Sequence, residues 1–73
     1  MNDLHTIQKL NSQAVERDIP NQLAKGKFVV AEYTGLHFTS HSVHDTEVEA
    51  NAKACEIGQE VGKRAKVHRP AAV

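Results

Sequence analysis

The stretch that decides the fold is KFVVAEYTGLHFTSHSV, residues 27–43. Its first half is rich in β-branched and aromatic residues, which favour a β-strand. Thr34 and Gly35 form a tight turn, and a second strand follows them. The stretch therefore predicts an antiparallel β-hairpin over 27–43.

The turn also predicts which side chains share a face of the hairpin. If Thr34 and Gly35 are a two-residue loop, Tyr33 lies opposite Leu36, and side chains alternate between the faces with period two. The core side then carries Val29, Ala31, Tyr33, Leu36, Phe38 and Ser40. The opposite side is mixed, and it carries Phe28, Val30, Glu32, His37, Thr39 and His41. We expect these last six residues, the predicted contact surface, to touch a protein partner.

A helix and a short third strand follow the hairpin. Thr46 and Glu49 have the spacing of a capping box, so the helix is predicted over 46–61 with Gly62 as its end. Its apolar arc is Val48, Ala50, Ala54, Cys55, Ile57, Gly58 and Val61, which places Cys55 in the core as a small apolar residue. The alternation in residues 65–69 predicts a third strand, and 70–73 are expected to be a frayed tail.

The N-terminal 26 residues are predicted to be helical. An apolar stripe of Leu4, Ile7, Leu10, Ala14 and Val15 indicates an amphipathic helix over 3–17, with Asn2 or Asp3 as its N-cap. Pro20 favours a break and a second short helical turn, which Gly26 ends. The chain is thus expected to be a single small domain of the α+β class, in the order α-β-β-α-β.

Length and composition limit the function classes. A chain of 73 residues supports only a thin core, and its single cysteine allows no internal disulfide, so we expect a homodimer. Nine basic residues balance nine acidic ones, so the overall basic field of non-specific nucleic-acid binders is missing. No apolar run approaches the roughly 20 residues that span a bilayer, and the N-terminus does not resemble a signal peptide. These features predict a cytoplasmic protein without membrane partners.

His37, His41 and His44 are close enough in sequence to suggest a metal site. On an extended strand, however, His37 and His41 stand roughly 13 Å apart and cannot share one ion. We therefore expect no metal and no other cofactor. We interpret the histidines as residues of the more solvent-exposed side of the hairpin. A metal site completed by His68 and a pH-sensing role are the alternatives.

A basic cluster lies near the C-terminus, and it consists of Lys63, Arg64, Lys66, His68 and Arg69. It has two interpretations: contact with phosphates or an acidic protein surface, or cations that complement the dipole at a helix C-terminus. The chain has no glycine-rich phosphate loop and no Ser/His/Asp constellation, so an enzyme is not expected.

Residues 27–70 resemble a bacterial family of small domains of unknown function. The resemblance rests on Thr46, Glu49, Ala50, Ala54, Glu56, Ile57, Gly62, Val67, His68 and Arg69. It implies a strand–strand–helix–strand order and brings no activity with it.

The sequence as a whole favours a non-enzymatic interaction or regulatory protein that binds a macromolecular partner. Accessory inhibitors encoded by phages or plasmids belong to that class. A nucleic-acid-binding module that uses the basic cluster is the first alternative, and a histidine metal-binding protein is the second.

Overall fold

The computed structural model describes residues 4–35 and 37–70. The elements are α1 (Leu4–Ala24), β1 (Phe28–Thr34), β2 (His37–His44), α2 (Glu47–Gly58) and β3 (Arg64–His68). The strands form an antiparallel sheet in the order β2-β1-β3. The predicted α+β class and the α-β-β-α-β order are confirmed. The predicted N-cap at Asn2 or Asp3, and the predicted frayed tail apart from Pro70, lie outside the described residues.

The sheet is packed between the two helices. On one face, here called the α1 face, α1 lies over β2 and β1, and on the other, the α2 face, α2 lies over β1 and β3. The α1 face buries Val29 and Ala31 with Val15 and Ile19, and the α2 face buries Val30 with Ala50 and Ile57. The central strand β1 is therefore covered on both faces, which explains its nearly continuous run of apolar residues.

Helix α1 is one continuous element, so the predicted break at Pro20 is wrong. Proline lacks the amide hydrogen that continues a helix. Here Ile19 is buried and Leu23 packs against the same cluster, so burial on both sides of Pro20 outweighs that loss. The predicted end at Gly26 is confirmed. Gly26 has a φ of 79°, and the Gly26 and Lys27 amides donate to the carbonyls of Leu23 and Gln22, respectively, as in a Schellman motif.

Helix α2 begins at Glu47, one residue after the predicted start, and ends at Gly58, three residues before the predicted position 61, so the predicted end at Gly62 is wrong. The Thr46 hydroxyl accepts the Glu49 amide at 3.2 Å, which confirms the N-cap. The stripe that meets the sheet is narrow, because it is built on buried Ala50 and Ile57 with Ala54 packed beside them. Cys55 is exposed, so its predicted core position is wrong, since it lies about 100° around the helix from Ala54.

The hairpin differs from its predicted register. Thr34 pairs with His37, so Thr34 belongs to β1 and the predicted loop of Thr34 and Gly35 is wrong. The predicted partner of Tyr33, Leu36, lies outside the described residues. Glu32 pairs with Ser40 while Tyr33 pairs with Phe38, which leaves Thr39 as the extra residue of a β-bulge.

Because of the bulge, the residues of β2 that follow Thr39 lie on the faces opposite to those predicted for them. His41 pairs with Ala31 on the α1 face, whereas His37 pairs with Thr34 and belongs to the α2 face. The prediction that these two histidines share a side of the hairpin is therefore wrong.

Candidate functional site

The six residues of the predicted contact surface do not form one surface. Val30 is completely buried beneath α2, and Phe28 packs against the same core. Glu32, Thr39 and His41 all bond to residues of this chain. Partner binding by this set stays a prediction, and the structure limits it to the members that solvent reaches.

Glu32 and Thr39 hold the bulge together. The Thr39 hydroxyl donates to a Glu32 carboxylate oxygen at 2.8 Å, and the Ser40 hydroxyl donates to it at 3.1 Å. The Lys63 ammonium lies 3.7 Å from the other oxygen. These donors, Thr39 foremost, hold the pKa of Glu32 below its ordinary value. The carboxylate is therefore satisfied within the fold.

His41 connects β2 to α1. Its Nε2 lies 2.6 Å from a carboxylate oxygen of Asp18, and the Gln22 amide also contacts that carboxylate at 3.4 Å. The contact with His41 lowers the pKa of Asp18. His44 Nε2 lies 2.8 Å from the Ser42 hydroxyl. Within residues 4–35 and 37–70, no group of three His, Cys, Asp or Glu side chains is placed to hold a metal ion.

The basic cluster is divided by the fold. Lys63 bonds to Glu60 at 2.8 Å, and Arg69 Nε lies 3.2 Å from a carboxylate oxygen of Glu47. In the part of the chain that the structure describes, Arg64 and Lys66 form no ion pair. Arg64 and Lys66, two of the five basic residues, are thus available to an outside partner.

Strand β3 directs these two cations to the same face of the sheet. Arg64 pairs with Tyr33 and Lys66 pairs with Ala31, so both belong to the α1 face, as does His68. Because α1 lies over β2 and β1, neither described helix packs across the part of this face that β3 provides, and Arg64 and Lys66 are exposed.

Aromatic side chains lie beside the cations. Tyr33, Gly35, Phe38 and Lys66 line an open groove of about 320 Å³. The Tyr33 and Phe38 rings meet edge to face, with centroids 5.9 Å apart and an interplanar angle of 77°. We call Tyr33, Phe38, Arg64 and Lys66 the basic–aromatic face. A depression of about 490 Å³, lined by Gly35, Gly62, Lys63 and Arg64, lies next to it.

His68 ends the row of basic residues on β3. Burial lowers its pKa, and the neighbouring Lys66 charge lowers it further, so the ring is neutral at pH 7. Its Nε2 is buried and has no hydrogen-bond partner among the described residues. His68 therefore adds shape rather than charge to this face.

The two edges of the sheet differ. At the outer edge of β2, the Asn11 amide donates to the Thr39 carbonyl at 3.1 Å, and the Ser12 hydroxyl accepts the Phe38 amide at 3.1 Å. In the described part of the chain, no strand pairs with the outer edge of β3. The unpaired edge of β3 thus belongs to the same strand as Arg64 and Lys66, the two cations of the basic cluster that form no ion pair among the described residues.

Sequence reasoning placed Tyr33 and Phe38 on the core side of the hairpin, and Phe38 does pack against the core of the α1 face. It did not predict that both rings also line a groove beside Lys66. It also grouped the five basic residues by proximity. The signal that separates them is the period-two pattern R-x-K-x-H, because residues two apart on a strand share a face.

Comparison with known proteins finds no matching family model, no matching curated protein and no matching solved structure. The resemblance of residues 27–70 to a family of small bacterial domains therefore stays a prediction. Neither helix in the described ranges is long and apolar enough to cross a membrane. Over the residues that the structure describes, the chain is thus a small α+β protein in which β3 presents exposed basic side chains on the α1 face.

Proposed function

We propose that this chain is a non-enzymatic binding protein that holds an acidic segment of a protein partner on its basic–aromatic face. The observation that carries the proposal is the pair Arg64 and Lys66, which point to one open face without ion-pair partners among the described residues. Every other cation of the basic cluster apart from neutral His68 is engaged by a glutamate of the chain.

The remaining polar contacts support a binding role. Two close side-chain contacts of the sheet, Glu32 with Thr39 and His41 with Asp18, join elements of the fold to each other. They hold the strands and α1 in place, and neither contact involves Arg64 or Lys66.

The test is direct titration with a fluorescent peptide of eight glutamates at about 50 mM and 500 mM salt. Each surface charge pair contributes about 0.5–1 kcal/mol, so the double variant R64A/K66A should bind roughly 5- to 30-fold more weakly than the unaltered protein.

The matched control is R17A/K53A, which also removes two positive charges. Arg17 is exposed on α1, and Lys53 belongs to α2 on the opposite side of the sheet. This control should bind the peptide normally. Equal losses in the two double variants, or no binding to the unaltered protein, would contradict the proposal.

Nucleic-acid binding is the second candidate, and Tyr33 and Phe38 favour it. Aromatic rings beside cations hold single strands by stacking and phosphate contact. Two available cations predict a slope of only about −1.4 for the logarithm of affinity against the logarithm of salt concentration. A twelve-nucleotide strand that binds more tightly than the peptide, with affinity lost in Tyr33→Ala, would assign the face to nucleic acid.

We also propose that the chain acts in the cytoplasm as a homodimer. Its free and exposed Cys55 suits a reducing compartment. Ile7 and Leu10 on the first half of α1 are 51% and 61% exposed, and they supply an apolar patch for a second copy. Sedimentation should show a dimer that Leu10→Lys dissociates. An 8.0 kDa monomer at micromolar concentration would contradict this.

A further inference from the structure

We propose that the acidic partner segment binds as a fourth strand of the sheet, paired with the outer edge of β3. It would be extended, with acidic residues at every second position and apolar residues between them. This inference rests on the proposed function and specifies the conformation and the sequence pattern of the partner.

The backbone of β3 provides the pairing surface. β3 is a five-residue edge strand, Arg64–His68, and β1 occupies only its inner side. An unpaired edge presents a row of amide and carbonyl groups that a further strand satisfies. Main-chain hydrogen bonds would supply affinity that does not depend on the partner's side chains.

The side chains of β3 define the pattern. Arg64 and Lys66 lie about 7 Å apart on the α1 face, which is the spacing of alternate side chains in any neighbouring strand. On the α2 face, Ala65 and Val67 pack at the margin of the core and are only half-buried. A fourth strand that matches both faces therefore alternates carboxylates with apolar side chains.

Charge selects against a second copy of this chain at the same edge. Antiparallel pairing of two β3 strands about a twofold axis would bring the cations of both copies onto one face, near each other. Like charges directly opposite each other destabilise a strand pair, and lysine on an edge strand commonly prevents self-pairing. The charges that repel a second β3 would attract carboxylates.

The outer edge of β2 does not offer an equivalent place. The bulge at Thr39 interrupts its regular ladder, and Asn11 and Ser12 of α1 already bond to its backbone. The two edges therefore differ in both geometry and available hydrogen-bonding groups, and β3 is the edge that an extended segment can join.

The experiment compares eight-residue peptides, capped at both ends, that contain four glutamates and four valines. In one peptide the two residue types alternate, and in the other they form two blocks. Both carry the same charge, so binding to cations alone would treat them alike. Strand addition predicts that the alternating peptide binds at least about tenfold more tightly, and that R64A/K66A weakens its binding.

Backbone pairing is tested with two N-methylated versions of the alternating peptide. One is methylated at every glutamate and the other at every valine, which removes the amide hydrogens of one edge only. Since an edge strand pairs along one side, one version should lose at least about tenfold in affinity and the other should bind nearly as well as the unmodified peptide. Alternate amides of β3 should also exchange more slowly with solvent in the complex.

The outcomes separate the two proposals. Equal binding of all four peptides, with dependence on Arg64 and Lys66 retained, would overturn strand addition and leave the proposed function standing. No binding of any acidic peptide would overturn the proposed function itself. Preferential binding of a single-stranded oligonucleotide by the same two cations would overturn strand addition by a peptide.

Discussion

Thr39 is the single residue on which the geometry of β2 depends most. It is the extra residue of the bulge, and its hydroxyl bonds to the Glu32 carboxylate at 2.8 Å. Because it shifts the pairing by one residue, Ser40 comes within reach of Glu32, while His41 reaches Asp18 of α1. One inserted position thus creates both the hydrogen bonds to the Glu32 carboxylate on the α2 face and the contact between β2 and α1.

Asp18 makes stability depend on pH in a definite direction. The contact with His41 lowers the pKa of the Asp18 carboxyl in the folded chain. As pH falls, Asp18 is therefore protonated in the unfolded chain before it is protonated in the folded chain. The stabilisation is present above the unfolded pKa, near about 3.9, and is lost as pH falls through the lower folded value. Asp18→Asn should therefore reduce the loss of unfolding free energy between about pH 5 and pH 2, measured by urea denaturation at each pH.

The control for this measurement is Glu16→Gln, which removes an exposed carboxylate from the same helix. Both variants lose one acidic group, and only Asp18 contacts His41. If the pH dependence of Asp18→Asn were identical to that of the unaltered protein, the contact between α1 and β2 would not stabilise the fold.

At the scale of the elements, Pro20 marks a conflict between local and tertiary preference. Proline is about 3 kcal/mol less favourable than alanine inside a helix, and it lowers the entropy of the unfolded chain by the equivalent of up to about 1 kcal/mol. Pro20→Ala should therefore stabilise the protein by about 2 kcal/mol in urea denaturation. Pro20 is exposed, so the substitution removes no buried side chain. A loss of stability would mean that the backbone at Pro20 is needed for Ile19 and Leu23 to reach the sheet.

Much of the element order was predictable because its signals are local. The cap at Thr46, the glycine end at Gly26 and the alternation in β3 each depend on a few neighbouring residues. The bulge at Thr39 was not predictable, because the residues that hold it, Glu32 and Asn11, lie 7 and 28 positions away. The predicted contact surface does not form because α2 covers Val30 and because the bulge moves His41 to the α1 face.

The candidate site was predictable in composition and not in shape. The basic cluster was visible in the sequence, yet its division depended on partners such as Glu32 and Glu47, which only the fold brings close. The uncovered part of the α1 face depends on where α1 lies across the strands. No pattern within α1 alone indicates that position.

At the scale of the whole molecule, the sheet separates two small cores. One is formed with Ile19 beneath α1, and the other with Ile57 beneath α2, so no buried side chain of one cluster belongs to the other. Ile19→Val and Ile57→Val should each cost about 1 kcal/mol, and their effects should add to within about 0.5 kcal/mol in the double variant. The measurement is urea denaturation of the unaltered protein, the two single variants and the double variant, which together form a double-mutant cycle.

Clear non-additivity in that cycle would show that the two cores communicate through β1, whose Val29, Val30 and Ala31 alternate between them. Additive effects with a single shared transition would show instead that the strand holds both halves in one cooperative unit without coupling their packing.

The contacts that Asn11 and Ser12 make with the outer backbone of β2 have a consequence for stoichiometry. A sheet with two available edges can be joined at both, and chains with two such edges can link into open arrays. Among the described residues one edge is interrupted and the other is available, so the sheet of each chain can accept one added strand. A strand bound at β3 would end the assembly rather than extend it, and the complex would remain discrete at any concentration of the partner.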